Sequence, residues 1–277
     1  MRSVNLTLLS LVILAFLFAT TYAQNRTIVT LGGSWWNAAY SYETQDGEKI
    51  ADIGTGNMFG PYLSISRGKL NFGASLLFGS FPIDALGLMG DEEAADLLDD
   101  VDMDMSRNDL NFSVGYRIHR NLNLFVGVKS LKWEIDGTIT ASDEYWDYWT
   151  DTWYTTEIEA DVNETESGTM LGGGISAVLP LGSGGLYAFG SLAYMAGVME
   201  LSYDFNSEDY SESSSGEELD AQLVAINLGV GYRFPSGFGL NIGYRADLFN
   251  EKYAEESLDE EPRIGVRGAI LTASYSF

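Results

Sequence analysis

Few residues in this chain have the types from which active sites and metal centres are built. There is one histidine, His119, and there is no cysteine. Without cysteine, zinc–thiolate centres, cysteine nucleophiles and a disulfide framework are excluded. A pair of carboxylates can act as acid and base, but among 40 acidic residues no pair stands out. We therefore predict a protein that is not an enzyme and that carries no cofactor.

One short acidic repeat comes closest to a metal site. Asp100, Asp102 and Asp104 alternate like the first ligands of a calcium-binding loop. Met105 stands where such a loop needs glycine, and Asn111 stands where it needs glutamate. No metal site is therefore predicted with confidence. A looser attraction of divalent cations remains a hypothesis beside the plainer one of a solvated acidic loop.

A second candidate is an aromatic cluster within an acidic stretch, which contains Trp146, Trp149 and Trp153. Aromatic anchors often supply binding energy, so the cluster could be a platform for a sugar or a partner protein. It could equally be the tip of a β-hairpin with stacked cross-strand pairs. We favour the hairpin, and the two interpretations are compatible.

In the segments that must position these residues, apolar and polar side chains alternate with a period of two. From Leu110 to Ile118 every second residue is apolar, and the pattern resumes from Leu122 to Val128 after a polar turn. The same unit recurs on either side of a turn at residues 235–237. Two such runs joined by a short turn predict a β-hairpin, and segments of about ten residues with this alternation are typical of transmembrane barrel strands.

Two less regular hairpins, with turns at residues 67–69 and 182–185, extend the pattern. A first strand at Thr27–Tyr42 and a last at Ile264–Phe277 bring the prediction to ten strands. Five long connections separate the hairpins, at residues 43–55, 84–108, 136–167, 203–220 and 251–262. Short turns and long connections alternate strictly, as they do in barrels with short periplasmic turns and long external loops.

Charge follows the same alternation. The net charge is −25, which argues against binding nucleic acid. Nearly all of the acidic residues lie in or beside the long connections, whereas Arg67, Lys69 and Arg120 lie in the short turns. A soluble β-sandwich has no reason to sort charge in this way, so the distribution supports a barrel that crosses a membrane.

In hydrocarbon every backbone polar group needs a partner within the protein, and a sheet provides this only when it closes. The apolar face of each strand then meets lipid, and the polar face lines the lumen. Tyrosine and tryptophan near the strand ends, among them Trp35, Trp36 and Tyr40, suit interfacial girdles. The alternative is a soluble barrel or sandwich whose apolar face points inward.

The last residues, Leu271 to Phe277, alternate apolar and polar side chains and end in an aromatic residue. This strand resembles the closing strand of Gram-negative outer-membrane β-barrels, in which Tyr275 and Phe277 would form part of the signal read by the barrel-assembly machinery. The resemblance implies a closed antiparallel transmembrane β-barrel that contacts outer-membrane lipid. It covers one strand and indicates no subfamily, and we take the chain as a monomer by default.

The N-terminal residues predict export. Arg2 precedes an apolar stretch, and Thr21-Tyr22-Ala23 offers small residues at a cleavage site. We expect residues 1–23 to be a cleaved signal peptide and residues 24–277 to be a single barrel domain in the outer membrane. A retained helical span is less favoured, because the apolar stretch is shorter than the roughly 20 residues that a bilayer needs.

The polar face gathers residues that could form a path or a plug: Arg117, Lys129, Arg233, Arg245, Asp247, Asn111 and Asn227. Ten strands lie near the narrow end of the barrel range, which favours a mostly filled interior. Two functions stay open, namely a narrow pore for small cationic solutes and a non-conducting barrel with a structural or surface-interaction role. Barrel enzymes generally use histidine, and His119 lies in a predicted short turn.

Overall fold

The structure, a computed structural model, describes residues 27–43, 49–83, 98–147, 152–207, 211–253 and 263–277. The predicted signal peptide at residues 1–23 lies outside these ranges. No helix in the described ranges is long and apolar enough to cross a membrane. They form ten strands: β1 (Thr27–Glu43), β2 (Lys49–Arg67), β3 (Leu70–Ile83), β4 (Leu98–His119), β5 (Leu122–Asp147), β6 (Thr152–Pro180), β7 (Leu186–Ser207), β8 (Ser211–Arg233), β9 (Phe238–Tyr253) and β10 (Arg263–Ser276).

The sheet closes on itself. Each described strand pairs with its neighbours in sequence, and β1 pairs antiparallel with β10, so the described strands form a ring without a terminal edge strand. The closing register runs from Thr30 opposite Ser276 to Glu43 opposite Arg263. The prediction of an all-β, closed antiparallel barrel with ten strands is confirmed.

The four short turns lie where the sequence predicts them, and both termini of the barrel lie at this short-turn end. Gly68 has φ 61° and Gly237 has φ 93°, a backbone region that glycine adopts without the steric cost of a Cβ. The last turn is held by hydrogen bonds from Phe234 N to Phe238 O at 2.8 Å and from Gly237 N to Phe234 O at 3.0 Å.

The predicted long connections are wrong in one respect, because most of their described residues belong to strands. β5 and β6 continue as a paired ladder to Asp147 opposite Thr152, and β4 begins at Leu98. These segments resemble loops in sequence because one face of each strand is acidic, while the opposite face carries the apolar residues. We call this part of the barrel, beyond the apolar belt defined next, the extension.

An apolar belt surrounds the lower barrel on its outer face. On β4 the outward side chains are apolar from Leu110 to Ile118, close to the ~9–11 residues that a transmembrane strand needs. Each strand contributes an exposed apolar side chain: Leu31, Leu63, Leu76, Phe112, Val126, Ile175, Leu192, Leu228, Ile242 and Leu271. Val126 is 64% exposed and Leu240 is 39% exposed, so both face outward as predicted.

In the extension the polarity of the two faces is reversed. Every strand contributes a buried apolar side chain to a core inside the barrel: Trp36, Met58, Phe81, Met105, Leu131, Met170, Met199, Leu223, Phe249 and Val266. The outward face beside this core is acidic, as Asp102, Asp104 and Asp220 show. On each strand the core residue lies farther from the short turns than the belt residue does.

The inversion corrects two of the girdle predictions. Trp36 and Tyr40 are 0% and 2% exposed and lie inside the barrel, in the core of the extension. Trp35, on the other face of β1, is exposed, and its Nε1 donates to Asn57 Oδ1 at 3.0 Å. Successive residues of a strand point to opposite faces of the sheet. An aromatic residue near a strand end therefore faces lipid or joins the core, according to the face on which it lies.

Two acidic residues of the extension, Glu164 and Glu166, lie on the inward-facing register of β6. Glu164 lies opposite Ile135 of β5 and Tyr203 of β7. Burial raises the pKa of its carboxyl above the ordinary value. The folded state therefore favours the protonated form. The resulting penalty is absent below the ordinary glutamate pKa and is complete above the raised one.

We expect Glu164→Gln to raise the free energy of unfolding at pH 7 and to flatten its fall between the ordinary and the raised pKa. The measurement is urea unfolding in lipid vesicles as a function of pH. Asp161→Asn, on the outer face of the same strand, serves as the matched control. A Glu164→Gln protein that matches the parent at every pH would contradict the assignment.

Candidate functional site

Five charged side chains meet inside the barrel where the belt gives way to the extension. Arg107 and Asp109 extend from β4, Lys129 from β5, and Arg245 and Asp247 from β9. In the order of strands around the barrel, β9 is directly across from β4. These residues, which we call the ion cluster, therefore join opposite walls of the barrel.

Each carboxylate of the ion cluster accepts hydrogen bonds from all three cations. Asp247 Oδ2 accepts from Arg107 Nη2 at 3.0 Å, from Lys129 Nζ at 2.9 Å and from Arg245 Nη2 at 2.7 Å. Asp109 Oδ2 accepts from the same three atoms at 2.9, 2.9 and 3.3 Å. Charges removed from water are tolerated only when they are paired in this way.

Aromatic rings cover the ion cluster on the side of the extension. Arg107 Cζ lies 5.5, 5.7 and 5.4 Å from the ring centroids of Trp36, Trp133 and Phe249, and Arg245 Cζ lies 4.3 Å from that of Trp36. The guanidinium groups thus contact ring faces, which favour cations. The three rings belong to the core, so the ion cluster and the core form two consecutive closed layers.

Between the ion cluster and the short turns the lumen is open and polar. A cavity of about 400 Å³ is lined by side chains that include Ser34, Tyr62, Asn111, Asn227 and Arg245. A second cavity of about 220 Å³ shares Asn111, Asn227 and Arg245 with it and reaches Lys129. A third of about 550 Å³ shares Asn241 with the first and reaches the turn glycines 182 and 185. We call this space the vestibule.

Hydrogen bonds between side chains hold the wall of the vestibule. Asn71 Nδ2 donates to Asn123 Oδ1 at 3.0 Å, and Asn71 Oδ1 accepts from Ser66 Oγ at 2.7 Å. Tyr187 OH donates to Asn241 Oδ1. The three cavities therefore lie between the short turns and the ion cluster, with side-chain hydrogen bonds in their walls.

The predicted lumen residues divide into two groups. Lys129, Arg245 and Asp247 meet in the ion cluster, and Asn111 and Asn227 line the vestibule below it. Arg117 and Arg233 are exposed near the short turns. Sequence reasoning missed Arg107 and Asp109, which it placed outside the strand beginning at Leu110. The alternation gives the missing signal, because Met103 to Asn111 continues the inward parity without a break.

The acidic and aromatic candidates of the long connections belong to strands where they are described. Asp100, Asp102 and Asp104 lie in β4, paired to β5, and Asp102 and Asp104 are exposed on the outer face, so the loop hypothesis for them is wrong. In the described residues no group of three or more acidic or histidine side chains could hold a metal ion.

The structure pairs Trp146 with Trp153 in the β5–β6 ladder, which confirms the hairpin. Trp149 lies outside the described residues.

The remaining candidates lie at the short-turn end. His119 ends β4, and its Nδ1 accepts from the backbone N of Asn121 at 3.4 Å, as expected for a turn residue. Tyr275 and Phe277 project outward, with ring centroids 4.9 Å apart. Phe277 N donates to Val29 O at 2.8 Å, so the last residue takes part in barrel closure.

No protein-family model matches the chain, and no curated protein matches it significantly. Solved structures match at low identity. The Escherichia coli outer membrane protease OmpT is 11% identical, with 94% of this chain and 100% of that chain covered and a TM-score of 0.49. The translocator domain of the autotransporter NalP from Neisseria meningitidis is 11% identical, with 92% and 90% covered and a TM-score of 0.47.

The Pseudomonas putida toluene transporter TodX is 11% identical, with 92% of this chain and 90% of that chain covered and a TM-score of 0.31. A protease, a translocator and a transporter differ in activity, and all three likenesses are too distant to carry an argument about function. The fold assignment rests on the strand pairing of the chain itself, and the function must be argued from its own residues.

We expect Asp247→Asn to lower the free energy of unfolding by about 3–5 kcal/mol, because it leaves three buried cations with one carboxylate. Adding Lys129→Met should recover part of the loss by restoring the balance of charge. Urea unfolding in lipid vesicles, followed by tryptophan fluorescence, measures both. The control is Arg117→Gln at the exposed end of the lumen, expected within about 0.5 kcal/mol of the parent. Equal losses for Asp247→Asn and Arg117→Gln would refute a stabilising ion cluster.

Proposed function

We propose that this chain is a sealed outer-membrane barrel, anchored in lipid by its apolar belt, that holds a rigid acidic extension at the cell surface. Its role is structural or one of surface interaction, and it does not conduct. One observation carries the proposal, namely the inversion of polarity along every strand at the level of the ion cluster.

The belt supports the membrane location. Exposed contiguous apolar surface is rare on soluble monomers beyond a few hundred Å², and here every strand contributes to it around the whole circumference. The inner face at the same height is polar, so the belt has no apolar core behind it. Lipid is the environment in which such a cross-section is stable, because the closed sheet satisfies its own backbone groups.

The two closed layers support the absence of conduction. Arg107, Asp109 and Asp247 are 0% exposed, and the core that follows has a fully buried side chain from nearly every strand. A hydrated ion moving along the barrel axis would have to break the pairing in the ion cluster and then cross an apolar layer. Both steps are costly.

A narrow pore for cations is the rival function, and it is favoured by the acidic outer face of the extension. The lumen argues against it. Below the ion cluster the described strands bring Arg117 and Arg233 to the inward face and no acidic side chain, so a cation drawn to the outer surface meets positive groups inside. The acidic surface is better suited to holding divalent cations or a basic partner outside the barrel.

We further propose that the barrel is not an enzyme. Its histidine is bound into a turn, and its buried carboxylates are paired with cations rather than poised to exchange protons. A titratable group that works as acid or base needs access to a substrate and a pKa near the working pH. The ion cluster offers no such access, since four of its five side chains are at most 2% exposed.

We expect Val126→Arg to lower the free energy of unfolding in lipid vesicles by about 2–4 kcal/mol, the range for an arginine facing the middle of a bilayer. Lys132→Arg is the matched control, because it places the same side chain on the same face of β5 above the belt, where water surrounds it. Urea titration of both proteins in vesicles gives the comparison. Equal stabilities, or a mature protein that stays dispersed without detergent, would refute the membrane location.

We expect no discrete conductance steps when the protein is added to planar lipid bilayers at moderate voltage. Folded insertion is verified on the same preparation by heat-modifiable migration in gels after reconstitution into vesicles. Single-channel steps that scale with protein concentration would contradict the sealed lumen and favour the pore.

A further inference from the structure

We propose that the vestibule is a blind binding pocket for a small hydroxylated carboxylate, of the size of a monosaccharide acid, which enters from the short-turn end. The proposal builds on the sealed lumen, since that makes the vestibule a dead end, but it concerns a different property. It assigns a ligand class to a cavity that the structural role leaves unexplained.

The charge expected of the ligand follows from the ion cluster, which forms the end of the vestibule. Of the five residues in the ion cluster only Arg245 has appreciable exposure, at 15%, while the side chains of Asp109 and Asp247 are 0% exposed. Three cations face two carboxylates, so the ion cluster carries one positive charge in excess. Arg245 uses Nε and Nη2 to bind Asp247. What the vestibule meets at its end is therefore the edge of a guanidinium, which suits a carboxylate.

The field along the vestibule has the same sign. Arg233 lines its lower end, and Arg117 lies on the inward-facing register of β4 near the short turns. No acidic side chain faces the lumen between them and the ion cluster in the described strands. Walls of low dielectric focus such a field and raise the local concentration of anions. Asp247 lines the second cavity, but both of its carboxylate oxygens already accept hydrogen bonds from the buried cations, so an entering cation would meet no free carboxylate oxygen there.

The neutral part of the ligand follows from the side walls. The first cavity combines hydroxyl and amide groups, among them those of Ser34, Asn111, Asn227 and Asn241, with two aromatic rings, Tyr62 and Phe189. These groups both donate and accept hydrogen bonds, as sugar hydroxyls require, and Phe189 offers an apolar face. A volume of about 400 Å³ lies within the usual range of small-molecule sites, roughly 300–1,000 Å³.

Asn227 provides the decisive variant. It lines both upper cavities and lies directly opposite Arg245 in the β8–β9 register. Asn227→Asp would place a carboxylate beside the exposed guanidinium and neutralise it from within, with no change in side-chain size. Asn108→Asp, which adds the same charge on the exposed outer face of β4, is the matched control.

The experiment is calorimetric titration of the full mature chain in detergent micelles, at low salt, with sodium glucuronate, glucose and glucosamine as separate probes. We expect glucuronate to bind measurably and more tightly than either of the others. Asn227→Asp should weaken glucuronate binding by at least about tenfold, the loss expected for one hydrogen bond to a charged group, while Asn108→Asp should leave it unchanged.

Equal binding of glucose and glucuronate, preferential binding of glucosamine, or no binding of any probe would overturn the proposal. So would glucuronate binding that Asn227→Asp leaves unchanged. Heat-modifiable migration of each variant verifies that it is folded. The titration measures binding and the bilayer experiment measures conductance, so the two results are independent. A failed titration would leave the sealed lumen standing, and channel activity in bilayers would leave a positive titration standing.

Discussion

The constraint on which this structure depends is that each strand must pass from lipid to water on its outer face while the sheet remains unbroken. The backbone hydrogen bonds between strands stay the same across this change, but the side chains must match their surroundings. Beside lipid the apolar residues must point outward, as Phe112 does; beside water they must point inward, as Met105 does on the same strand. The alternation along the strand therefore keeps its period and exchanges the roles of its two faces.

The ion cluster lies where that exchange happens, and its position has a physical reason. Above it the interior is dry and apolar, and below it the interior is a polar vestibule, so side chains at the boundary are neither fully solvated nor in contact only with apolar groups. Arginine and lysine suit such a boundary, because long stems can pack against rings while charged ends reach a partner. Arg107 does this between Trp36 and Asp109. The pairing of Arg107 with Asp247 also joins β4 to β9 on the opposite wall.

Sequence reasoning recovered what local alternation determines: the strand count, the short turns, and which face of Leu110–Ile118 meets the outside. It failed in the extension, where the apolar residues of the same alternation face inward instead of outward. Asp102 and Asp104 indicated a loop because they are acidic, whereas the inward Met103 and Met105, which alternate with them, were not recognised as part of a core. Trp36 was assigned to a girdle for the same reason. The ion cluster requires residues far apart in sequence, such as Asp109 and Asp247, to meet across the lumen, and no local period shows that.

The two ends of the barrel therefore differ in charge, and in the sealed barrel that we propose this difference separates ions by side rather than passing them through. A cation outside is drawn to the acidic face of the extension, yet behind that face lies an apolar core with no path inward. An anion at the short-turn end meets Arg117 and Arg233 and then the edge of Arg245, beyond which the same core blocks it. A barrel that closes its lumen with a net positive layer beneath an apolar one thus keeps two distinct surfaces, each facing the solutes of its own compartment.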